Sequence, residues 1–392
     1  MKRRLLKTTA YLLGLVVSLI VLFMAHIWNP MGSAPSGERR DRISQSEQYR
    51  DGKFDNKLPS VSEGFSLSII KKYIKGGSNY RKPEANVSSL NRTATDFSPR
   101  RKDLRVTWLG HSTMIVEMED VRILIDPVFG DYASPNQILG IKRFYESPLS
   151  LDNLPELDAV VISHDHYDHL DFSTIKALKD RVPQFVVPLG VGSHLEYWGV
   201  EASKIVELDW WEEFVIRDLR LISTPARHFS GRSLTDRNAT LWSGWAFIGS
   251  NNRLFYSGDS AMGPHFSEIG ERLGPFDMTL MESGAYDPLW TDVHMGPEQA
   301  VLAHQMVKGG LLVPVHWGLF DLALHGWTEP AERIRIAATK QGIPVAFPMP
   351  GASVTREEYD SEAWWPDTPW DSVTRVPIVS TGLDASIVDA LK

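Results

Sequence analysis

Ala159-Val160-Val161-Ile162-Ser163-His164-Asp165-His166-Tyr167-Asp168-His169 decides how this chain is read. The four apolar residues at its start have the length and content of a buried strand. Beyond them lies a tight loop with three imidazoles and carboxylates packed among them. Imidazole is the commonest protein ligand for divalent metals, and imidazole with carboxylate suits zinc, iron or manganese. One ion cannot easily take His164, His166, Asp168 and His169 together from so short a turn. The i, i+2 pair His164 and His166 can point to one ion, and Asp168 and His169 to a second. A polar surface loop rich in His by chance is the bland alternative. It has no need of three imidazoles at the mouth of an apolar strand.

His-x-His-x-Asp-His after such a strand resembles the signature of the metallo-β-lactamase superfamily. The resemblance implies an α/β (α+β) fold, a four-layer αβ/βα sandwich with a two-metal site on one edge. It also implies three further ligands, each of which has a fitting context here. His228 comes after Leu219-Arg220-Leu221-Ile222, Asp259 ends Leu254-Phe255-Tyr256-Ser257-Gly258-Asp259, and His316 ends Leu311-Leu312-Val313-Pro314-Val315-His316. By the family pattern, His164, His166 and His228 hold one ion. Asp168, His169 and His316 hold the other, and Asp259 bridges both.

Four shorter motifs narrow the resemblance. Trp108-Leu109-Gly110-His111-Ser112-Thr113, Ser257-Gly258-Asp259-Ser260, Gly284-Ala285-Tyr286 and His316-Trp317-Gly318 together are similar to the phospholipases D that hydrolyse N-acylphosphatidylethanolamine. The similarity runs from about Val106 to Pro350. It implies a metal-dependent phosphodiesterase acting on membrane phospholipids, with Asp168 and Asp259 central to the chemistry and a metal-bridging hydroxide as nucleophile. Two divalent ions, zinc by default with manganese or iron sharing the ligand preferences, are the expected cofactors. His294 matches a position that binds the substrate phosphate region in lipid-cleaving relatives. Tyr286 is expected either to reach the cleft or to pack. His111 is expected near the metals without ligating them, and Asp165 is expected to support a neighbouring imidazole. A lactonase or other small-ester hydrolase on the same site is the second reading. A non-catalytic metal-binding envelope or regulatory protein is the third.

Composition narrows the field further. The formal charge is −8 over 392 residues, which argues against a nucleic-acid-binding surface, though a local basic patch is compatible with it. There are no cysteines, so disulfides and thiolate ligands are excluded. Oligomeric state is not legible.

Lys2, Arg3, Arg4 and Lys7 precede a run from Ala10 to Ile27 without Asp, Glu, Lys or Arg. A bilayer core needs about 20 apolar residues, so a single membrane anchor is expected over 1–29. A cleaved signal peptide is the competing reading, but no small-x-small site comes after the core. The leading positive charges would stay cytoplasmic, which puts the domain on the periplasmic or extracytoplasmic side. Arg39, Arg40 and Arg42 beyond the segment oppose that orientation.

Residues 30–100 read as linker and lead-in, with a short helix around 44–49. An amphipathic helix over 65–74 serves as a structural strap or covers the substrate groove. The hydrolase domain is expected over 101–352, and 353–392 as a C-terminal extension. Strands are expected at 105–109, 114–118, 122–125, 185–188, 204–208, 213–216 and 219–222, with a hairpin of 242–248 and 254–256. Helices are expected at 297–307 and 328–341, each with an early Pro and a terminal Gly. The loop 128–150 is long enough to line an entrance.

Overall fold

A computed structural model describes residues 2–61, 67–136 and 140–390. The chain opens with helix α1 (Lys2–Met31). Its Tyr11–Met31 portion is long and apolar enough to cross a membrane, and its most apolar stretch is not buried against the rest of the protein. Next come α2 (Glu38–Ile43), the hairpin β1 (Tyr49–Arg50) and β2 (Lys53–Phe54), and α3 (Leu67–Lys75). The expected helix at 44–49 is not there: the helix lies earlier and ends at Ser44. Asp51-Gly52, both at positive φ, instead turn the chain into the hairpin. Of the expected 65–74 helix, 65 and 66 fall outside the described residues.

The first sheet starts with the meander β3 (Arg105–Gly110), β4 (Thr113–Met118) and β5 (Val121–Ile125). It continues through β6 (Ala159–Val161), α4 (Phe172–Leu178), β7 (Gln184–Pro188), α5 (Gly192–Tyr197) and β8 (Ile205–Leu208). The second sheet runs through β9 (Glu213–Ile216), β10 (Leu219–Thr224), β11 (Gly244–Ile248), β12 (Arg253–Tyr256), α6 (His265–Arg272) and β13 (Phe276–Glu282). The chain goes on to α7 (Pro297–Met306), β14 (Gly309–Val315), α8 (Glu329–Gln341), β15 (Ser353–Thr355) and α9 (Ala385–Ala390). The sheet orders are β15-β3-β4-β5-β6-β7-β8 and β14-β13-β12-β11-β10-β9.

Burial explains the layering. Met114, Val116, Ile123, Ile125, Ala159 and Val161 face the second sheet and its helices, sharing one core with Phe247, Phe255, Leu280 and Val313. Their neighbours Ile115, Leu124 and Val160 point the other way, onto Ile175 and Leu178 of α4 and Leu195 of α5. Such period-2 alternation with both faces apolar requires helices on the outside of the sheet. On the far side α6, α7 and α8 add Phe266, Ile269, Ala300, Val301 and Ile334 to the central core. The result is the expected order of helices, sheet, sheet, helices.

Two expected boundaries do not match the packing. The division at 352 cuts through the first sheet, because β15 pairs with β3 and Trp365 is buried in the central core. Residues 30–61 are no free linker either. Ile43 and Phe54 fill a small core with Leu189, Trp210 and Trp242. The buried Arg232 guanidinium donates to Pro30 O (2.7 Å) and also to Asp165 O and Leu170 O, tying the exit of α1 to the metal-type loop. Single apolar anchors of this kind leave no periodic trace in sequence.

Candidate metal centre

β3, β5 and β6 run in one direction in the first sheet, as do β10, β12, β13 and β14 in the second. Their C-terminal ends open on one edge of the sandwich, where ligands collect in such folds. Two clips hold the sheets in register there. Ser243 N donates to Ser163 O (2.9 Å), and Trp245 Nε1 donates to Ile162 O (3.0 Å). His316 N donates to His111 O (3.0 Å), and both residues adopt left-handed backbone, φ 64° and 53°. Strain of that kind persists only where the surroundings over-determine it.

All seven side chains expected as ligands converge. His166 Nδ1 lies 2.8 Å from His164 Nε2 and 3.2 Å from His228 Nε2. Asp259 Oδ2 stands 3.8 Å from His164 Nε2 and 3.7 Å from His228 Nε2. In the second set, Asp168 Oδ2 is 3.4 Å from His169 Nε2 and 3.3 Å from His316 Nε2. The same Asp259 oxygen is 3.2 Å from His169 Nε2 and 3.0 Å from His316 Nε2. Ligand atoms about 2.0–2.1 Å from a tetrahedral ion sit roughly 3.3 Å apart. Both sets have that spacing, and Asp259 belongs to each.

The far ring nitrogens support the same reading. His169 Nδ1 donates to Asp126 Oδ2 (2.7 Å) and His228 Nδ1 to Val293 O (2.9 Å). Carboxylate and carbonyl acceptors keep the proton on Nδ1, so each Nε2 turns a lone pair inward. His169 Nε2 and Asp259 Oδ1 are buried without a hydrogen-bond partner. Buried polar atoms are seldom left so, and an inward lone pair beside an ionised carboxylate fits a cation.

Charge points to the same need. Burial raises the cost of ionising Asp259, yet His169 and His316 outweigh it and hold the carboxyl well below the usual range. Burial likewise pulls His316 down, but Asp259 and Asp168 lift it to about 10. His169 is raised in the same way, chiefly by Asp259 against its own burial. His164 and His228, crowded by burial and other imidazoles, are held well below the ordinary value. The raised His169 and His316 and the lowered Asp259 mark a site whose carboxylates demand positive charge. Divalent cations would supply that charge in place of protons.

His111 Nε2 sits 2.9 Å from Asp168 Oδ2, and its ring packs 4.1 Å from that of His316. Burial, then His316, pushes its pKa down to about 3, so it is a neutral partner that can orient Asp168. Asp165 is bonded to the imidazole of His194, not to one of the seven side chains of the cluster. It accepts from His194 Nε2 (3.3 Å), Thr240 Oγ1 (2.8 Å) and Gly231 N (2.7 Å), outside the cluster. Tyr286 packs rather than lining the cleft. Its buried hydroxyl donates to Glu329 Oε1 (2.8 Å), and its ring stacks on His325.

His294 joins the cluster edge. Its ring stacks on His316 at 5.1 Å, with Nδ1 3.8 Å from Asp259 Oδ2. Two residues of the site are not evident from sequence. Asp126 reads there only as a strand terminator before Pro127, yet it also binds Ser163 N (2.7 Å) and Tyr256 OH (2.6 Å). Glu282, fully buried at the end of β13, binds His294 Nδ1 at 2.8 Å.

A family model described as a beta-lactamase superfamily domain matches residues 121–317, half of the chain. An uncharacterized protein of Mycobacterium tuberculosis is 43% identical over 364 residues, 90% of this chain and 96% of that one. The chain belongs to the metallo-β-lactamase superfamily. An N-acyl-phosphatidylethanolamine-hydrolyzing phospholipase D of Caenorhabditis elegans is 39% identical over 258 residues, 62% of this chain and 72% of that one. Among solved structures, an isothiocyanate hydrolase from Delia radicum gut bacteria matches 64% of this chain and 98% of its own, with 20% identity and a TM-score of 0.52. At that identity the likeness concerns the fold. Within the metallo-β-lactamase superfamily this chain is a metal-dependent hydrolase that resembles the phospholipase D branch.

Proposed function

We propose that this chain is a phospholipase D-like phosphodiesterase for N-acylphosphatidylethanolamine-type lipids, working at two divalent metals, with zinc as the first choice. The observation that carries the reading is the pair of donor sets joined at Asp259 Oδ2, which stands 3.0 Å from His316 Nε2 and 3.7 Å from His228 Nε2. His164, His166 and His228 would hold one cation, Asp168, His169 and His316 the other, and Asp259 both. When bound, such a pair supplies Lewis-acid polarisation of a phosphoryl oxygen and brings a water's pKa towards neutrality.

The chain's own groups do the rest. Asp126 and the Val293 carbonyl fix the tautomers of His169 and His228. His111 steadies Asp168. His294 meets the substrate phosphate. The rings of Phe229, 4.4 Å from His166, and Phe320, 5.2 Å from His111, flank the cluster with apolar surface and keep water from its sides. Attack of water on phosphorus would break the bond to the ethanolamine oxygen, releasing phosphatidic acid and an N-acylethanolamine.

The apolar helix Tyr11–Met31 suits a substrate that resides in a bilayer. Lys2, Arg3, Arg4 and Lys7 favour an extracytoplasmic domain. Arg39, Arg40 and Arg42 beyond the segment oppose that orientation.

The test is metal-loaded full-length protein on N-acylphosphatidylethanolamine in mixed micelles, beside a lactone panel. Phosphatidic acid release is the expected outcome. Lactone turnover with the phospholipid untouched would overturn the assignment in favour of a small-ester hydrolase.

A further inference from the structure

We propose that Glu282 is the positioning residue of His294, fixing which ring nitrogen carries the proton and aiming Nε2 at the substrate. The inference rests on the reading of His294 as the group that meets the phosphate. Glu282 is the last residue of β13 and is 0% exposed. Its Oε1 accepts from Ser260 N (3.0 Å) and Met295 N (2.9 Å). Its Oε2 faces His294 Nδ1 at 2.8 Å. One carboxylate thus joins a strand end, the turn after Asp259 and the loop that bears His294. Gripping both the ring of His294 and the backbone of Met295 leaves the imidazole little torsional freedom.

The His294 ring is also less buried than the imidazoles it packs against. The side chains of His164, His169, His228 and His316 are at most 1% exposed, whereas that of His294 is 12% exposed. Among the described residues nothing bonds to its Nε2. With Nδ1–H held by a carboxylate, Nε2 is left to meet a substrate oxygen or its proton.

Backbone N–H groups can only donate, so Oε1 must remain an acceptor. That makes Glu282→Gln a shape-conserving probe. The glutamine carbonyl has to take the Oε1 place, which turns its NH2 towards His294. Nδ1 must then accept, and the proton moves to Nε2.

The experiment uses full-length zinc-loaded protein with 15N-labelled histidine, the His294 signals being assigned by their loss in His294→Ala. Wild type should show the Nδ1–H form and Glu282→Gln the Nε2–H form, both with two metals per chain. On the phospholipid, kcat should fall about 10- to 100-fold with KM nearly unchanged. In a His294→Ala background, Glu282→Gln should cost nothing more. A wild-type spectrum with Nε2–H, loss of metal from Glu282→Gln, or an equal loss of rate without His294 would each overturn the proposal. The spectra and metal content need no substrate. Failure of the lipid assignment is therefore told apart from failure of this one, and the wild-type spectrum decides even where the variant does not fold.

Discussion

Asp259 concentrates the chemistry of the site in one oxygen. Its Oδ2 lies 3.2 Å from His169 Nε2 and 3.0 Å from His316 Nε2, and within 4 Å of His164 and His228. Cations held by the two donor sets would repel each other, and the shared carboxylate would offset part of that repulsion. Asp259→Asn keeps the size and removes the charge. Metal analysis of that variant should give one ion or fewer per chain in place of two, and turnover should fall at least about a hundredfold. Two metals retained at full rate would refute the bridging role.

At this scale the candidate ligands are legible because each lies at the end of an apolar run or a few residues beyond one. Asp126 and Glu282 are not. Asp126 precedes a proline, so it reads as a turn residue. Glu282 acts on His294, twelve residues further on, only because β13 brings its end beneath that loop. Tyr286 shows the converse. Its motif suggests a cleft residue, and burial against Glu329 and Arg333 turns it into packing.

Among elements, the turn after β12 leaves its glycine little freedom. Gly258 sits at φ +57°, and a Cβ there would come within 2.5 Å of Ser243 O. Backbone oxygen cannot swing aside, and left-handed geometry by itself costs about 1–2 kcal/mol for other residues. Gly258→Ala should therefore lower stability by about 2 kcal/mol or more in denaturant melts. It should also weaken metal binding, because Asp259 is the next residue. A variant equal to wild type in both measurements would show that the turn is not constrained.

The long strands and the helices at 297–306 and 329–341 can be read because apolar pattern and punctuation agree over several turns. The helices α4, α5 and α6 are six to eight residues long, too short for a 3.6-residue period to repeat convincingly. β13, Phe276–Glu282, is hidden because Asp277 and Thr279 interrupt its apolar run, and its place depends on parallel partners on both sides.

For the whole molecule, the origin of the ligands sets the energetics. His164, His166, Asp168 and His169 come from a loop of the first sheet, whereas His228, Asp259 and His316 come from strand ends of the second. Each proposed ion therefore takes donors from both sheets, and a bound pair would cross-link the sheets at one edge of the sandwich. The unfolded chain has no such constellation, so cation binding free energy adds to folding free energy. At free metal a thousandfold above Kd, one site contributes about 4 kcal/mol. Without cations, four side chains from one sheet and three from the other leave buried carboxylates and imidazoles facing each other, with His169 and His316 raised towards their charged forms. Chelation at neutral pH should therefore lower the thermal midpoint of the whole domain and not merely loosen the 164–169 loop. Calorimetry with and without chelator checks this. One transition moving down by several degrees, and restored by zinc, is the expected result. A midpoint that stays put after metal analysis confirms removal would mean that the ions do not tie the two sheets together.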